Sequence, residues 1–304
     1  RLKSSDYKKE QSSLAENDNI YNIMKEAGGS DNIYVMPWNI QVLYVYYRPS
    51  IFEKAGVEVP KTYDEFLEAV KKCTMDTDGD GKTDVYGFGM RGAKGGQEPW
   101  GSFIYGAGGN FEDLTSADSV KGMQDFIDLY TNGYVPPTAT SDGFNEIIAN
   151  FKSGLTAMTI HHTGSSADME ATFGDDVSAF PFPAGKGQWT SMGDTETVIF
   201  ESCENKEAAF EWVSYLTAGE GQKMWCEGTG NVPVSKTVQA GDFFQNNRFM
   251  KASIDGQSFA GILPILDTTT EWISTVWPNT VSQALTGSIS AEDCMKTLQA
   301  ELYK

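Results

Sequence analysis

The 304 residues are 40% hydrophobic and 12% aromatic, too long for one ordinary domain and apolar enough to fill two packed cores, which excludes a disordered chain. Acidic side chains outnumber basic ones 42 to 23, for a net charge of −19, and the four arginines (Arg1, Arg48, Arg91, Arg248) are scattered. That balance excludes a nucleic-acid binder, which needs clustered cations against phosphates, and no apolar run reaches the roughly 18 residues of a membrane span.

The chain opens on a polar stretch, Arg1 to Asn17, with no secretory leader, as a mature or truncated chain does. Val42 to Tyr47 is an apolar run rich in β-branched and aromatic residues and predicts one buried strand. Thr62 and Glu65 have the spacing of a capping box, and Tyr63, Phe66, Leu67 and Val70 recur on one helical face behind them. Tyr86-Gly-Phe-Gly89 reads as a strand. Helices follow over Ala117–Thr131, stopped by Asn132-Gly133 and Pro136-Pro137, and over Phe144–Lys152, closed by Gly154. Thr156 to Ile160 is the next strand. Asn205 caps a helix carrying Ala209, Trp212, Val213 and Leu216 that ends at Gly219, and Ser290 caps a last helix bearing Cys294, Leu298 and Leu302. Trp212 and Trp225 are expected to pack their helices. Strands alternating with helices predict βαβ units and a mainly parallel sheet. The four cysteines (Cys73, Cys203, Cys226, Cys294) lie far apart without a CxxC, so neither a zinc site nor a disulfide framework is indicated; Cys73 and Cys294 are expected in the core.

The sharpest local motif is Asp76-Thr-Asp78-Gly-Asp80-Gly81-Lys82-Thr-Asp84. Its acidic residues occupy positions 1, 3, 5 and 9 of an EF-hand-type loop, with glycine at position 6 and the Lys82 carbonyl at position 7. A structural Ca2+ held by Asp76, Asp78, Asp80, Lys82 and Asp84 is therefore expected. Position 12 is Gly87 in place of the bidentate Glu, so the site is weak, and a plain acidic turn is the alternative.

Asp31-Asn-Ile-Tyr34-Val-Met-Pro37, the strand to Tyr47, and Ile51-Phe-Glu-Lys-Ala-Gly56-Val-Glu-Val-Pro60-Lys-Thr-Tyr-Asp-Glu-Phe66 resemble the extracellular solute-binding proteins of sugar ABC importers, the family that contains maltose-binding protein. Phe151-Lys-Ser-Gly154-Leu-Thr-Ala-Met158, Asn205-Lys-Glu-Ala-Ala209 with Trp212 and Leu216, and Asn231-Val-Pro233-Val continue the likeness. The resemblance implies an α/β, two-lobed, type II periplasmic-binding-protein-like fold with a hinge between the lobes. Lobe one comprises residues 1–40 and 193–260, and lobe two 41–192 and 261–304. Only 30 residues precede Asp31, so the resemblance implies that the amino-terminal part of lobe one is missing or replaced.

The same resemblance implies a non-enzymatic lipoprotein, extracellular or periplasmic and lipid-anchored to the outer face of the cytoplasmic membrane in its full length. It is a monomer that binds a carbohydrate and delivers it by hinge closure to the permease subunits of an ABC transporter. The hinge lies near Ile40–Leu43, Met192–Asp194 and Ala260–Pro264. A neutral sugar needs aromatic platforms for its C–H faces and fixed polar groups for its hydroxyls. Residues of those types where the family places its cleft are Trp38, Asn39, Gln41, Glu98, Trp100, His161, His162, Gly193, Asp194 and Trp272; Glu98-Pro-Trp100 resembles a known sugar contact. Each tryptophan has core packing or an ordinary surface position as its alternative, and each carboxylate an ordinary solvated surface. On this reading Trp100→Ala abolishes the ligand response and leaves the unliganded melting point unchanged. His161 and His162 point to opposite faces of a strand and cannot share one metal ion. The rival functions are a secreted glycoside hydrolase, for which Glu98 with Asp194 or Asp267 are the only nominees, and a calcium-stapled adhesion module.

Overall fold

The structure, a computed structural model, describes residues 35–304; the opening stretch and its implications lie outside the described residues. These divide into two compact units. The first takes the described residues through Val42, then His162–Ala167 and Met192–Ile262; the second takes Leu43–His161, Asp168–Ser191 and Leu263–Lys304.

The chain begins with β1 (Met36–Val42) and β2 (Tyr44–Tyr47), followed by α1 (Pro49–Ala55), α2 (Tyr63–Lys72) and β3 (Tyr86–Gly89). Next come α3 (Gln97–Ala107), α4 (Ala117–Thr131), α5 (Phe144–Lys152), β4 (Thr156–His161), α6 (Ser166–Phe173) and β5 (Ser178–Phe180). The chain continues through β6 (Thr190–Thr197), α7 (Lys206–Thr217), α8 (Gly219–Thr229) and β7 (Val232–Pro233). Then follow α9 (Lys236–Gln239), α10 (Asp242–Asn246), α11 (Arg248–Gly256) and β8 (Ala260–Gly261). A short α12 (Thr269–Glu271) and a π turn (Trp272–Val276) lead into α13 (Trp277–Leu285) and α14 (Ala291–Leu302).

In the first unit the sheet order is β7-β1-β6-β8, with β1 antiparallel to both neighbours. Ile40 and Val42 of β1 join Met192, Val213, Cys226 and Phe244 in its core, because alternate residues of a strand face one side. In the second unit the order is β3-β4-β2-β5, and β4 is buried at all six positions. Only β3 and β4 run parallel; β2 is antiparallel to both β4 and β5. The sheets are thus mixed, not mainly parallel. Alternation of strand and helix constrains consecutive strands, whereas β2 pairs with strands far along the chain.

The predicted single strand Val42–Tyr47 is two strands in two different sheets. The break is Leu43, whose N–H donates to Ser191 O (2.9 Å) and whose carbonyl accepts from Thr190 Oγ1 (2.8 Å). Both halves are apolar, so composition could not reveal the change of sheet. Other local signals hold. Thr62 Oγ1 accepts from Glu65 N (3.2 Å) while Glu65 Oε2 accepts from Thr62 N (3.2 Å), completing the capping box. Ser290 Oγ accepts from Asp293 N at 3.0 Å. Asn205 precedes α7 but makes no capping bond, and Gly219, at φ +54, opens α8 instead of closing α7. Ala218 is the one extended residue between the two helices.

The core of the second unit is unusually rich in indole. Trp100 is fully buried, its ring centroid 5.9 Å from Trp277, 6.1 Å from Phe111 and 6.3 Å from Trp272, and its Nε1 donates to Met123 Sδ at 3.2 Å. Trp272 is 1% exposed and donates Nε1–H to Leu298 O at 2.9 Å. Trp212 and Trp225, expected to pack helices, are instead 60% and 38% exposed. Helical spacing alone does not say which aromatic residue faces inward. Cys73, Cys226 and Cys294 are buried free thiols, each pushed up to about 12 by burial.

Trp100→Ala is therefore expected to destabilise the protein by about 3–5 kcal/mol, the range for truncating a large buried aromatic residue. Denaturant titration checks this; an unchanged unfolding midpoint would place the indole outside the core.

Candidate functional site

The parallel pair β3 and β4 sets the geometry of the second unit's candidate site. Groups just beyond the carboxyl ends of such strands share one rim, the usual ligand-binding edge of an open α/β sheet. Arg91 follows β3 by two residues, Glu98 lies in the first turn of α3, and His161 ends β4. Arg91 Nε and Nη2 donate to Lys94 O at 3.2 and 2.9 Å, and Nη1 lies 3.5 Å from Glu98 Oε2. Gly95, at φ +89, makes this possible: a Cβ there would sit 1.7 Å from Arg91 Nη2. The Phe144 ring stands 4.2 Å from the His161 ring and 5.6 Å from Arg91 Cζ. Burial raises the Glu98 carboxyl above the usual carboxylate range while Arg91 pulls it down. Desolvation lowers the Arg91 guanidinium, opposed by Glu98 and Glu146. The arrangement offers a hydroxyl acceptor, a fixed cation and an aromatic face within a few ångströms.

Of the residues expected to bind ligand, Trp100 and Trp272 are corrected: both lie inside the core and present no face to a ligand. Glu98 and His161 lie on the rim just described. Trp38, Asn39, Gln41, His162, Gly193 and Asp194 belong to the first unit. There the β1–β6 register sets Gln41 opposite Gly193, Ile40 opposite Asp194 and Asn39 opposite Thr195. Gly193 is exposed with open space where a Cβ would project, so Gln41 faces an uncrowded patch. The side chain of Asp194 lies outside the described residues. Asn39 is 3% exposed, and its Oδ1 has no hydrogen-bond partner among the described residues. Trp38 packs against Trp225, centroids 4.3 Å apart, and its carbonyl accepts from Gln222 Nε2 at 3.0 Å. His162 Nδ1 accepts from Gly164 N at 3.0 Å. Sequence reasoning missed Arg91 and Phe144. The Gly95-Gly96 pair was the available signal for Arg91, since adjacent glycines often mark a close approach.

The acidic loop gathers three of its four expected carboxylates. Carboxylate oxygens of Asp76, Asp78 and Asp84 lie within 4.8 Å of one another, all exposed. Asp76 accepts from Gly79 N (2.6 Å) and Gly81 N (2.8 Å), and Asp84 accepts from Thr77 N (2.7 Å). Bonds to Gly81 and Gly79 hold the Asp76 carboxyl below its usual range, and those to the Thr77 side chain and backbone do the same for Asp84. Asp80 is turned away, accepting from Lys82 N at 2.8 Å and pairing with Lys82 Nζ at 3.3 Å. Three ionised oxygen donors on a tight loop fit a hard cation.

Residues 3–252 match the model of the family described as bacterial extracellular solute-binding protein. A putative binding protein of Brucella abortus (strain 2308) is 26% identical over 241 residues, which is 76% of this chain and 56% of that one. The mannitol-binding protein of Pseudomonas aeruginosa is 25% identical over 267 residues, 81% of this chain and 56% of that one. The chain thus spans little more than half the length of these relatives. Among solved structures, maltose-bound MalE3 of T. maritima superposes with a TM-score of 0.77 at 21% identity, covering 96% of this chain and 78% of that one. An ABC transporter solute-binding protein of Thermotoga lettingae, bound with alpha-D-tagatose, gives 0.76 at 21% identity and covers 97% and 87%. The likeness establishes the fold as α/β and two-lobed.

Removing the guanidinium should expose how it tunes its neighbour. In Arg91→Gln the Glu98 carboxyl is expected to titrate higher than in the wild type, because burial then acts unopposed. Carbon-detected NMR titration of the side chain reads this directly; a lower or unmoved midpoint would mean the two groups are not electrostatically coupled.

Proposed function

The chain belongs to the bacterial extracellular solute-binding proteins, a family of binding proteins and not of enzymes, and from that premise we propose that it captures a carbohydrate or sugar alcohol outside the cell and hands it to an ABC permease. The observation that carries the reading is the rim at the carboxyl ends of β3 and β4, where Glu98, Arg91 and Phe144 offer an acceptor, a donor and a ring. Sugars need that combination: charge-assisted bonds to hydroxyls and an apolar surface for the C–H face. Relatives of the same fold bound with maltose and alpha-D-tagatose, and a mannitol-binding relative, support this class of ligand.

Hinge closure, by which periplasmic binding proteins trap ligand, fits a chain that passes between its units five times, after Val42, His161, Ala167, Ser191 and Ile262. Among the described residues no helix is long and apolar enough to cross a membrane. We also infer that Asp76, Asp78 and Asp84 hold a Ca2+ that staples their loop, with Asp80 outside the ligand set.

A thermal-shift panel of mono- and oligosaccharides and sugar alcohols tests the main reading. One member at 100-fold over its Kd is expected to add about 2.7 kcal/mol of stability, with no sugar released. Release of product would establish a glycoside hydrolase, and silence across the panel would favour an adhesion module. For the metal, added Ca2+ is expected to raise the melting temperature of the wild type and not that of Asp78→Asn; equal responses would remove the loop as the site.

A further inference from the structure

Eight of the ten methionines among the described residues are 7% exposed or less, Met75 is half-buried, and Met224 is 60% exposed. Buried thioethers fill core gaps and meet no solute, whereas an exposed one is open to electrophiles. Met224 is also held in place. It projects from α8 beside Tyr215 of α7, whose hydroxyl donates to its Sδ at 3.7 Å. Gly221 lets the two helices approach for that contact: a Cβ there would sit 2.0 Å from Tyr215 O. The Trp212 ring, itself 60% exposed, stacks beside Tyr215 with centroids 6.1 Å apart and planes at 26°. Sulfur and rings together make a small solvent-facing apolar face on the first unit. Further along α8, Cys226 is fully buried and its thiol is pushed up to about 12, so it stays protonated and is a poor nucleophile.

We propose that Met224 is a reversible oxidation site, where a peroxide in the surrounding medium modifies this chain. A thioether sulfur carries two lone pairs. Tyr215 occupies one, and the exposure of the side chain leaves the other open. That pair takes the outer oxygen of hydrogen peroxide: an S–O bond forms, the O–O bond breaks, and the sulfur is oxidised by one electron pair. The proton on the transferred oxygen passes to the departing hydroxide, which leaves as water. The product is methionine sulfoxide, polar where the thioether was apolar. Its oxygen is a stronger acceptor than the weakly accepting sulfur. The Tyr215 hydroxyl therefore gains a better partner on oxidation, and the face turns from apolar to polar while the core stays intact.

Timed exposure of the intact protein to hydrogen peroxide, followed by peptide mapping with mass spectrometry, tests this residue by residue. Met24, outside the described residues, is read in the same map. Met224 is expected to gain one oxygen roughly tenfold faster than the eight buried methionines, which react only on local opening. Methionine sulfoxide reductase should remove that oxygen. On hydrophobic-interaction chromatography the treated wild type is expected to elute earlier, whereas Met224→Leu, a near-isosteric change, should not respond to peroxide. Oxidation of Met224 no faster than that of the buried methionines, or an equal elution shift in Met224→Leu, would overturn the site.

Discussion

The packing of Trp100 against Phe111, Trp272 and Trp277 is the constraint on which the second unit turns. It ties α3 to the carboxyl-terminal helices, since Trp272 and Trp277 belong to the chain's last quarter and Trp272 is bonded to Leu298 of α14. Gly101 is part of the same fit: a Cβ there would come within 2.3 Å of the Trp189 ring. With α3 fixed, its first turn places Glu98 beside Arg91 at the end of β3. Trp100 thus acts from inside the core, fixing the helix whose first turn carries Glu98.

That division of labour explains what the sequence could and could not disclose. Helix limits were legible because local chemistry sets them: Ser116 Oγ accepts from Ser119 N at the start of α4, and Gly133 at φ +71 follows its end. Thr62 with Glu65 and Ser290 with Asp293 are equally local. Sheet membership was not legible. Leu43 transfers the chain from one sheet to another through bonds to Thr190 and Ser191, partners nearly half the chain away. The direction of β2 against β4 and β5 is likewise a long-range outcome.

The candidate site divides the same way. Glu98 was visible through its motif, and its motif neighbour Trp100 misled because residues two apart on a helix face different directions. Phe144 was hidden by its good helical periodicity. The acidic loop showed its three convergent carboxylates in sequence, whereas Asp80 obeyed a competing local bond to Lys82. A tryptophan's type and spacing say that it is amphipathic and large; whether it lines a core, as Trp100 does, or a surface, as Trp212 does, depends on what the rest of the chain brings against it.

The chain is a member of the bacterial extracellular solute-binding proteins, and the proposal places its ligand at the rim of the second unit. Hydrogen–deuterium exchange with and without a saturating sugar tests that location most directly. Slower exchange at residues 90–98 and 144–147 is the predicted result, because ligand contacts would steady the Arg91 loop and the start of α5. Unaltered exchange in both segments, with protection appearing elsewhere in this unit, would contradict the account.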